Sequence, residues 1–196
     1  MNHSLIPLYR QMHAQGAFDG RSTYGFAEHI AKLVRSTGAS TLLDYGSGKG
    51  RQYLEGRIHE LWGGIMPTLY DPGWRPNADR PVGQFDGVIC IDVLEHIPEE
   101  ELNETLEDIR CYARSWVFFA IGYKPANKNL PDGRNAHVTI HDPAWWRTRL
   151  DSAFHLGPKV HIGYKTLRKN QKPSTLRKCP KDVYLREGWR LPPSYR

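Results

Sequence analysis

The chain has 196 residues, of which 39% are apolar and 24% are charged, and it carries a net charge of +6. That length allows one well-buried core and is too short for two ordinary domains, so we expect a single domain. The sequence has no apolar run long enough to span a membrane and no basic-then-apolar export signal, which argues against a membrane protein and favours the cytoplasm.

The positive charge is concentrated in the last part of the chain. Residues 165–196 hold ten Lys or Arg and two acidic residues, whereas residues 1–164 have a small negative balance. We therefore assign 1–164 to the domain and 165–196 to a basic extension, in which 182–185 has the composition of a last edge strand. Such an extension is typical of a solvated terminus, and its charge would also attract nucleic-acid phosphates.

Strands and helices alternate along the domain. N-terminal helices are expected from about residue 5, the clearest being an amphipathic helix over 24–36 that Gly38 ends. A buried strand at 41–44 then runs into a glycine-rich turn, and a helix over roughly 52–62 should follow that turn.

The second half of the domain repeats this alternation. A strand at 67–70 precedes 72–84, where prolines and glycines are too frequent for a full helix, so this part should be shortened or remodelled. A strand at 87–91, a helix that begins near Pro98 and a strand at 115–121 follow. The pattern predicts an α/β fold built on a Rossmann-like, doubly wound, mainly parallel sheet.

The turn after the first strand carries the most specific signal. It reads Asp-x-Gly-x-Gly-x-Gly, with the acid at Asp44 and the glycines at Gly46, Gly48 and Gly50. Alternate glycines let the backbone adopt conformations closed to other residues, and they let a ligand approach without a side chain in between. The spacing differs from the dinucleotide fingerprint Gly-x-Gly-x-x-Gly, which favours another cofactor.

Two further acidic residues follow strands in the same way. Asp71 ends the second strand about twenty residues after the glycines, where this architecture places a carboxylate for ribose hydroxyls. Asp92 ends the strand at 87–91 and opens the segment Asp-Val-Leu-Glu-His, which finishes at His96. Because the carboxyl ends of parallel strands meet at one edge of a sheet, these side chains should collect at one rim.

The three segments together resemble the motifs of class I S-adenosylmethionine-dependent methyltransferases, in the small-molecule, type 11/12-like branch. The resemblance covers about residues 24–162 and implies the fold of that class, bound S-adenosylmethionine and methyl transfer. It places glycines and acids around the methionyl part and the ribose, and the ring of Trp74 would pack against the adenine. The candidate cofactor-binding residues are Asp44, Gly46, Ser47, Gly48, Gly50, Asp71, Trp74 and Asp92.

Methyl transfer from a sulfonium to a hydroxyl group needs a base near the rim, and histidine changes protonation near neutral pH. His96 follows the strand at 87–91, and His137 begins the pattern His-x-x-x-x-x-Pro, which in the same branch borders the substrate pocket. His96 and His137 are therefore the candidate catalytic residues. The loop at 122–136 follows the strand at 115–121 and would cover the same rim as a substrate lid.

A divalent metal is a secondary hypothesis. Asp92, Glu95, His96 and the distant His137 resemble the Glu-x-x-Glu-His plus distant His that binds a divalent ion in small-RNA 2′-O-methyltransferases and ubiquinone-pathway O-methyltransferases. The segment Asp-Val-Leu-Glu-His also occurs in relatives that need no metal, so a site without metal is the primary expectation.

The sequence does not identify the methyl acceptor. The leading interpretation is an enzyme that methylates an oxygen or nitrogen atom of a small molecule, such as a sugar or a biosynthetic intermediate. One alternative is a nucleic-acid methyltransferase (RNA 2′-O or DNA/nucleotide) that uses the basic extension, although 91–94 lacks the Asn/Asp-Pro-Pro-Tyr/Phe of adenine amino methyltransferases. Another is a cofactor-binding partner protein without catalysis, against which the intact glycines and histidines argue.

Overall fold

The computed structural model describes residues 4–165, and every structural statement below concerns that part of the chain. The helices and strands are, in chain order, α1 (Ile6–Ala14), α2 (Ala27–Thr37), β1 (Leu42–Tyr45), α3 (Arg51–Leu54), β2 (Thr68–Tyr70), β3 (Phe85–Ile91), α4 (Leu102–Tyr112), β4 (Ala113–Gly122), α5 (Pro143–Ala153) and β5 (Lys159–Lys165). Short 3-10 turns lie at Ser22–Phe26, Ile58–Trp62, Arg75–Asn77, Leu94–His96 and Glu99–Glu101.

The five strands form one sheet in the order β2-β1-β3-β4-β5, and every neighbouring pair is parallel. Parallel pairing requires a crossover between strands, and the helices between them provide it. The predicted α/β architecture with a Rossmann-like parallel sheet is confirmed, with β3 at the centre and β2 and β5 at the edges.

The sheet is covered on both faces because its central strands alternate their buried side chains between two cores. In β3, Val88 and Cys90 pack with α4 and α5, whereas Ile89 and Ile91 pack with α2 and the turn at Ile58–Trp62. Strands buried on both faces read as continuous apolar runs, which is why β3 and β4 were recognisable in the sequence.

The predicted helix over 52–62 is wrong. Helix α3 ends at Leu54, and helical structure resumes only in the 3-10 turn at Ile58–Trp62. A Cβ built on Gly56 would overlap the hydroxyl group of Tyr24, and the next residue, Arg57, has a left-handed φ of 50°. Contact with the N-terminal segment therefore breaks the helix at a glycine that local periodicity could not identify as a break.

The other predicted elements agree with the structure within a few residues. Helix α2 begins at Ala27, and Gly38 ends it with a left-handed φ of 66°. The proline-rich part at 72–84 contains only the turn Arg75–Asn77 among its regular elements, as expected from its composition. None of the helices in residues 4–165 is long and apolar enough to cross a membrane. The basic extension beyond Lys165, with the suggested strand at 182–185, lies outside the described residues.

Candidate functional site

The loops that follow β1, β2, β3 and β4 all leave the same edge of the sheet, because the strands are parallel. Ligands of open α/β sheets bind at this carboxyl edge. The sequence-predicted residues are carried by these loops, so the fold collects them at one rim, and their side-chain contacts decide which of them act together.

The glycine turn adopts the backbone conformation that its composition suggests. Gly46, Gly48 and Gly50 have φ values of 82°, 55° and 62°, a region that L-residues with a side chain rarely adopt. A Cβ on Gly46 would overlap the side chain of Val93, and a Cβ on Gly50 would lie 2.5 Å from Leu69 Cδ1. These two glycines are therefore required by packing inside the protein.

Gly48 differs from its two neighbours. A Cβ built on Gly48 would meet only ordinary contacts, 3.6 Å from His13 Cε1 and 3.9 Å from Asp71 Oδ2. Its missing side chain lets His13 and Gly20 pack close to this part of the turn, beside the acid at the end of β2. Gly48 is therefore the glycine of the turn that lies against Asp71, the predicted ribose-binding acid.

Asp71 is joined to the glycine turn directly. Its Oδ2 accepts a hydrogen bond of 2.7 Å from the N–H of Gly48, and its Oδ1 accepts one of 2.7 Å from the N–H of Gly73. Burial raises the pKa of this carboxyl group, while the nearby His13 and the backbone N–H donors lower it. The structure thus brings Asp71 and Gly48 together, as the sequence predicted.

Ser47 lies beneath this pair. The Asn77 side chain donates hydrogen bonds to the carbonyl of Gly48 at 2.8 Å and to Ser47 Oγ at 3.3 Å. The N–H groups of Gly46 and Ser47 donate to the carbonyl of Tyr70 at 2.7 and 3.1 Å. Asn77, which sequence analysis did not select, therefore fixes the position of the glycine turn against the loop after β2.

Asp44, near the end of β1, is buried inside the protein. Its Oδ2 accepts hydrogen bonds from the hydroxyl of Tyr53 at 2.8 Å and from Gln52 Nε2 at 3.2 Å. Burial raises the pKa of this carboxyl group from 3.8 to about 7, and the two hydrogen bonds oppose part of that rise. Asp44 therefore tethers the start of α3 beneath the glycine turn.

Asp92 has a left-handed backbone, with a φ of 55°, and is one of two residues other than glycine with positive φ between 4 and 165. Its Oδ2 accepts a hydrogen bond of 2.7 Å from Ser22 Oγ, and its N–H donates to the carbonyl of Ala120 at 2.9 Å. Strained backbone of this kind clusters at functional sites. The structure places Asp92 against the N-terminal segment, a contact absent from the sequence prediction.

The two candidate bases come together at this rim. The rings of His96 and His137 have centroids 4.9 Å apart and meet edge to face. His96 Nδ1 lies 2.7 Å from the carbonyl oxygen of Ala136, and His137 Nδ1 lies 2.6 Å from that of Lys124. A carbonyl can only accept, so each Nδ1 carries the proton and the basic nitrogen of each neutral ring is Nε2.

The predicted lid at 122–136 is fastened to the same corner. Glu95 is fully buried, and its Oε1 accepts a hydrogen bond of 2.6 Å from the N–H of Gly122, where the loop begins. Its backbone carbonyl accepts from the N–H groups of Val138 and Thr139 at 2.9 and 3.1 Å. Glu95 therefore holds both ends of the loop that positions the histidines.

The main contribution that sequence analysis missed is the N-terminal segment. The hydroxyl of Tyr9 lies 3.0 Å from the carbonyl oxygen of His96 and 2.8 Å from that of Ala136. Farther along α1, His13 Nε2 lies 3.9 Å from Asp71 Oδ2. One helix thus contacts both the predicted cofactor side and the predicted catalytic side of the rim. The sequence signal was weak, because α1 reads as an ordinary amphipathic helix.

Trp74 belongs to this contact as well. The ring centroids of His13 and Trp74 are 5.7 Å apart, and Lys49 Nζ lies 5.2 Å from the centroid of the Trp74 ring. The predicted adenine-contacting ring therefore stands beside Asp71 and the glycine turn, as the sequence suggested, and α1 covers it from the other side.

An open groove of about 490 Å³ lies between α1 and the lid, next to this corner. Its lining combines carboxamides, one ammonium group and small apolar surfaces, from Gln11, Met12, Gln15, Ala17, Lys128, Asn129 and Pro131. Phe18 lies between the groove and the histidines, since its ring is 5.3 Å from Lys128 Nζ and 6.0 Å from the ring of His96. The groove is thus adjacent to the rim but separated from it by one aromatic side chain.

The four side chains considered for a metal, Asp92, Glu95, His96 and His137, also make contacts within the protein. Within residues 4–165, no three or more His, Cys, Asp or Glu side chains are grouped so as to hold a metal ion. Glu95 Oε1 and the Nδ1 atoms of His96 and His137 all bond to backbone groups, and Asp92 bonds to Ser22.

Comparisons with known proteins leave the function to be argued from this geometry. No protein-family model matches the chain, and no curated protein matches it.

Proposed function

We propose that the protein is an S-adenosylmethionine-dependent methyltransferase that acts on an oxygen or nitrogen atom of a small molecule, such as a sugar or a biosynthetic intermediate. The observation that carries the proposal is the hydrogen bond from the N–H of Gly48 to the Asp71 carboxylate, which joins the glycine turn to the predicted ribose-binding acid at the carboxyl edge of the sheet. That edge is where ligands of open α/β sheets bind.

The residues at this edge suit such a cofactor. Asp71 supplies acceptor oxygens for ribose hydroxyls, the N–H of Gly48 fixes the position of that carboxylate, and Trp74 offers an aromatic face for the adenine. When bound, the cofactor supplies an electrophilic methyl group on its sulfonium. The protein then has to hold the acceptor in line with that methyl group and remove a proton.

His96 and His137 support the proton-removing step. Both rings donate from Nδ1 to backbone carbonyls, which fixes their orientation and leaves Nε2 as the basic nitrogen of each ring. Their edge-to-face contact places both at one corner, below the lid. Either histidine is therefore positioned to accept a proton from a hydroxyl or ammonium acceptor.

The groove beside this corner supports the hypothesis that the methyl acceptor is a small molecule. Its volume of about 490 Å³ lies in the range of small-molecule sites, and its carboxamides and ammonium suit an oxygen-rich ligand. The nucleic-acid alternative depends on the basic extension, which lies outside the described residues. The alternative without catalysis leaves the paired histidines unexplained.

The proposal is tested by calorimetric titration of the folded protein with S-adenosylmethionine and S-adenosylhomocysteine, on the wild type and on Asp71→Asn. The amide keeps the size of the side chain and one acceptor oxygen but loses the charge, so affinity should fall about 10- to 100-fold. Asp151→Asn, on α5 away from the rim, is the matched control and should bind like the wild type. A folded wild type that binds neither compound overturns the proposal.

A further inference from the structure

His13 is a buried histidine on α1 that the chemistry described so far does not use. Its side chain is only 7% exposed. Its Nδ1 is buried and has no hydrogen-bond partner among residues 4–165. Buried polar atoms are nearly always hydrogen-bonded, so one that is not calls for an explanation such as a ligand.

The surroundings of His13 are those of the predicted ribose site. Its Nε2 lies 3.9 Å from Asp71 Oδ2, and its ring borders two glycines. A Cβ built on Gly48 would lie 3.6 Å from His13 Cε1, and a Cβ built on Gly73 would lie 3.5 Å from His13 Cδ2. The imidazole and the carboxylate therefore lie side by side, against the backbones of Gly48 and Gly73.

The protonation of His13 decides what it can offer. Burial lowers the pKa of the imidazole, and Lys49 lowers it further, whereas Asp71 raises it. A neutral imidazole has one donor nitrogen and one acceptor nitrogen. The nitrogen nearer to a carboxylate is favoured to carry the proton, so Nε2 faces Asp71 as the donor and Nδ1 is left as the acceptor.

We infer that His13 is a cofactor-binding residue, whose Nδ1 accepts a hydrogen bond from one ribose hydroxyl while Asp71 accepts one from the other. This inference rests on the proposed methyltransferase function. A vicinal diol has two O–H donors, and His13 with Asp71 presents two acceptors within one buried position. The N-terminal helix is thereby part of the cofactor site.

A packing role is the competing explanation for His13. Its ring also lies 4.9 Å from the ring of Phe18 and 5.7 Å from that of Trp74, so an apolar side chain could fill the same space. The two roles make different predictions for ligands that lack a hydroxyl. A packing residue affects all ligands equally, whereas a hydrogen-bonding residue discriminates between them.

The test is calorimetric titration with S-adenosylhomocysteine and with its 2′-deoxy and 3′-deoxy forms, on the wild type, His13→Leu and His13→Asn. His13→Leu should lower the affinity for S-adenosylhomocysteine about tenfold, which corresponds to the loss of one hydrogen bond. For the deoxy form that lacks the bonded hydroxyl, the same substitution should change the affinity by less than about twofold. His13→Asn places an amide oxygen close to the position of Nδ1 and should recover part of the loss.

His59→Asn is the matched control, because His59 Nδ1 is also buried without a hydrogen-bond partner but belongs to the turn at Ile58–Trp62. It should leave all three affinities unchanged. If His13→Leu does not fold, the comparison of His13→Asn with the wild type across the three ligands serves instead, since only a hydrogen-bonding role makes its effect depend on the hydroxyl.

The outcomes separate this inference from the proposed function. Binding that is lost in Asp71→Asn but unchanged in His13→Leu overturns the role of His13 alone. An equal loss for all three ligands in His13→Leu overturns it in favour of packing. A folded wild type that binds neither S-adenosylmethionine nor S-adenosylhomocysteine overturns both.

Discussion

His96 and His137, far apart in sequence, meet edge to face with ring centroids 4.9 Å apart. The lid supplies the acceptor for each ring, since Ala136 accepts from His96 and Lys124 accepts from His137. The position of the lid therefore determines the orientation of both candidate bases. A displacement of the loop would turn both imidazoles at once.

The first prediction concerns these two histidines. Replacement of the catalytic base by Gln should lower kcat about 10²- to 10⁴-fold, because general-base catalysis contributes that much. Replacement of the other histidine should cost less, and both variants should keep the cofactor affinity of the wild type. The measurement is single-turnover transfer of a labelled methyl group to an acceptor found by screening. His155→Gln, at an exposed position just after α5, is the control. Full activity in both His96→Gln and His137→Gln would contradict the assignment.

The second prediction is that alanine at Gly46 and alanine at Gly48, two glycines of the same turn, have different effects on stability. Gly46→Ala forces a Cβ into Val93 and should lower the melting temperature strongly, because this overlap adds to a cost of about 1–2 kcal/mol for the left-handed backbone. Gly48→Ala carries only the backbone cost, since its Cβ meets ordinary contacts.

Gly48→Ala should therefore remain folded and lose affinity for S-adenosylhomocysteine, because the new methyl group stands beside His13 and Asp71, the proposed ribose-binding pair. Thermal melting and calorimetry of the two variants provide the measurement. A folded Gly48→Ala protein with the affinity of the wild type would show that this backbone does not contact the cofactor.

The third prediction is a pH dependence that arises from Asp44. Its folded pKa of about 7 lies above its ordinary value of 3.8, so the folded state holds a proton that the unfolded state releases between these values. The contribution of Asp44 to the free energy of unfolding is thus fully present below pH 3.8 and is lost as the pH rises to about 7. At 1.4 kcal/mol for each pKa unit, the loss is at most about 4 kcal/mol.

Asp44→Asn stays neutral and keeps an acceptor oxygen for Tyr53, so it should not show this loss. Urea unfolding of the wild type and of the variant from pH 4.5 to pH 8 measures the difference, and the variant should gain stability relative to the wild type as the pH rises. A constant difference across this range would mean that Asp44 ionises in the folded state at an ordinary pH.

The fourth prediction concerns Tyr9, whose hydroxyl bonds to the carbonyls of His96 and Ala136. Tyr9→Phe removes this link and should lower the free energy of unfolding by about 1 kcal/mol, the typical net value of a buried hydrogen bond. It should also lower kcat severalfold without changing the affinity for S-adenosylhomocysteine, because the link reaches the catalytic corner only. A fall in cofactor affinity that matched the fall in kcat would contradict this division.

Much of the fold could be predicted because its signals are local. The strands are apolar runs, and Gly46, Gly48 and Gly50 occupy positive φ values that restrict the choice of residue. The acids at the strand ends meet at one rim as a direct result of parallel pairing, so Asp71 was found beside Gly48.

The errors and omissions come from contacts between distant parts of the chain. The predicted helix is interrupted at Gly56, where the hydroxyl group of Tyr24 occupies the space that a side chain would need. Nothing in the local sequence around either residue indicates this contact. In the same way, Tyr9 and His13 look like ordinary helix positions until the fold lays α1 across the rim. Asp44 was correctly placed next to the turn, but its partners Gln52 and Tyr53 were not selected.

The contacts of α1 also join parts of the chain that are far apart in sequence. Tyr9 bonds to the carbonyl of a residue 127 positions later, and the carbonyl of Ala17 accepts a hydrogen bond from Lys128. Contacts of such long sequence separation form late, because a large loop has to close first. Closing these loops restricts α1 and the lid together, so a change that loosens α1 also loosens the loop that orients the two histidines.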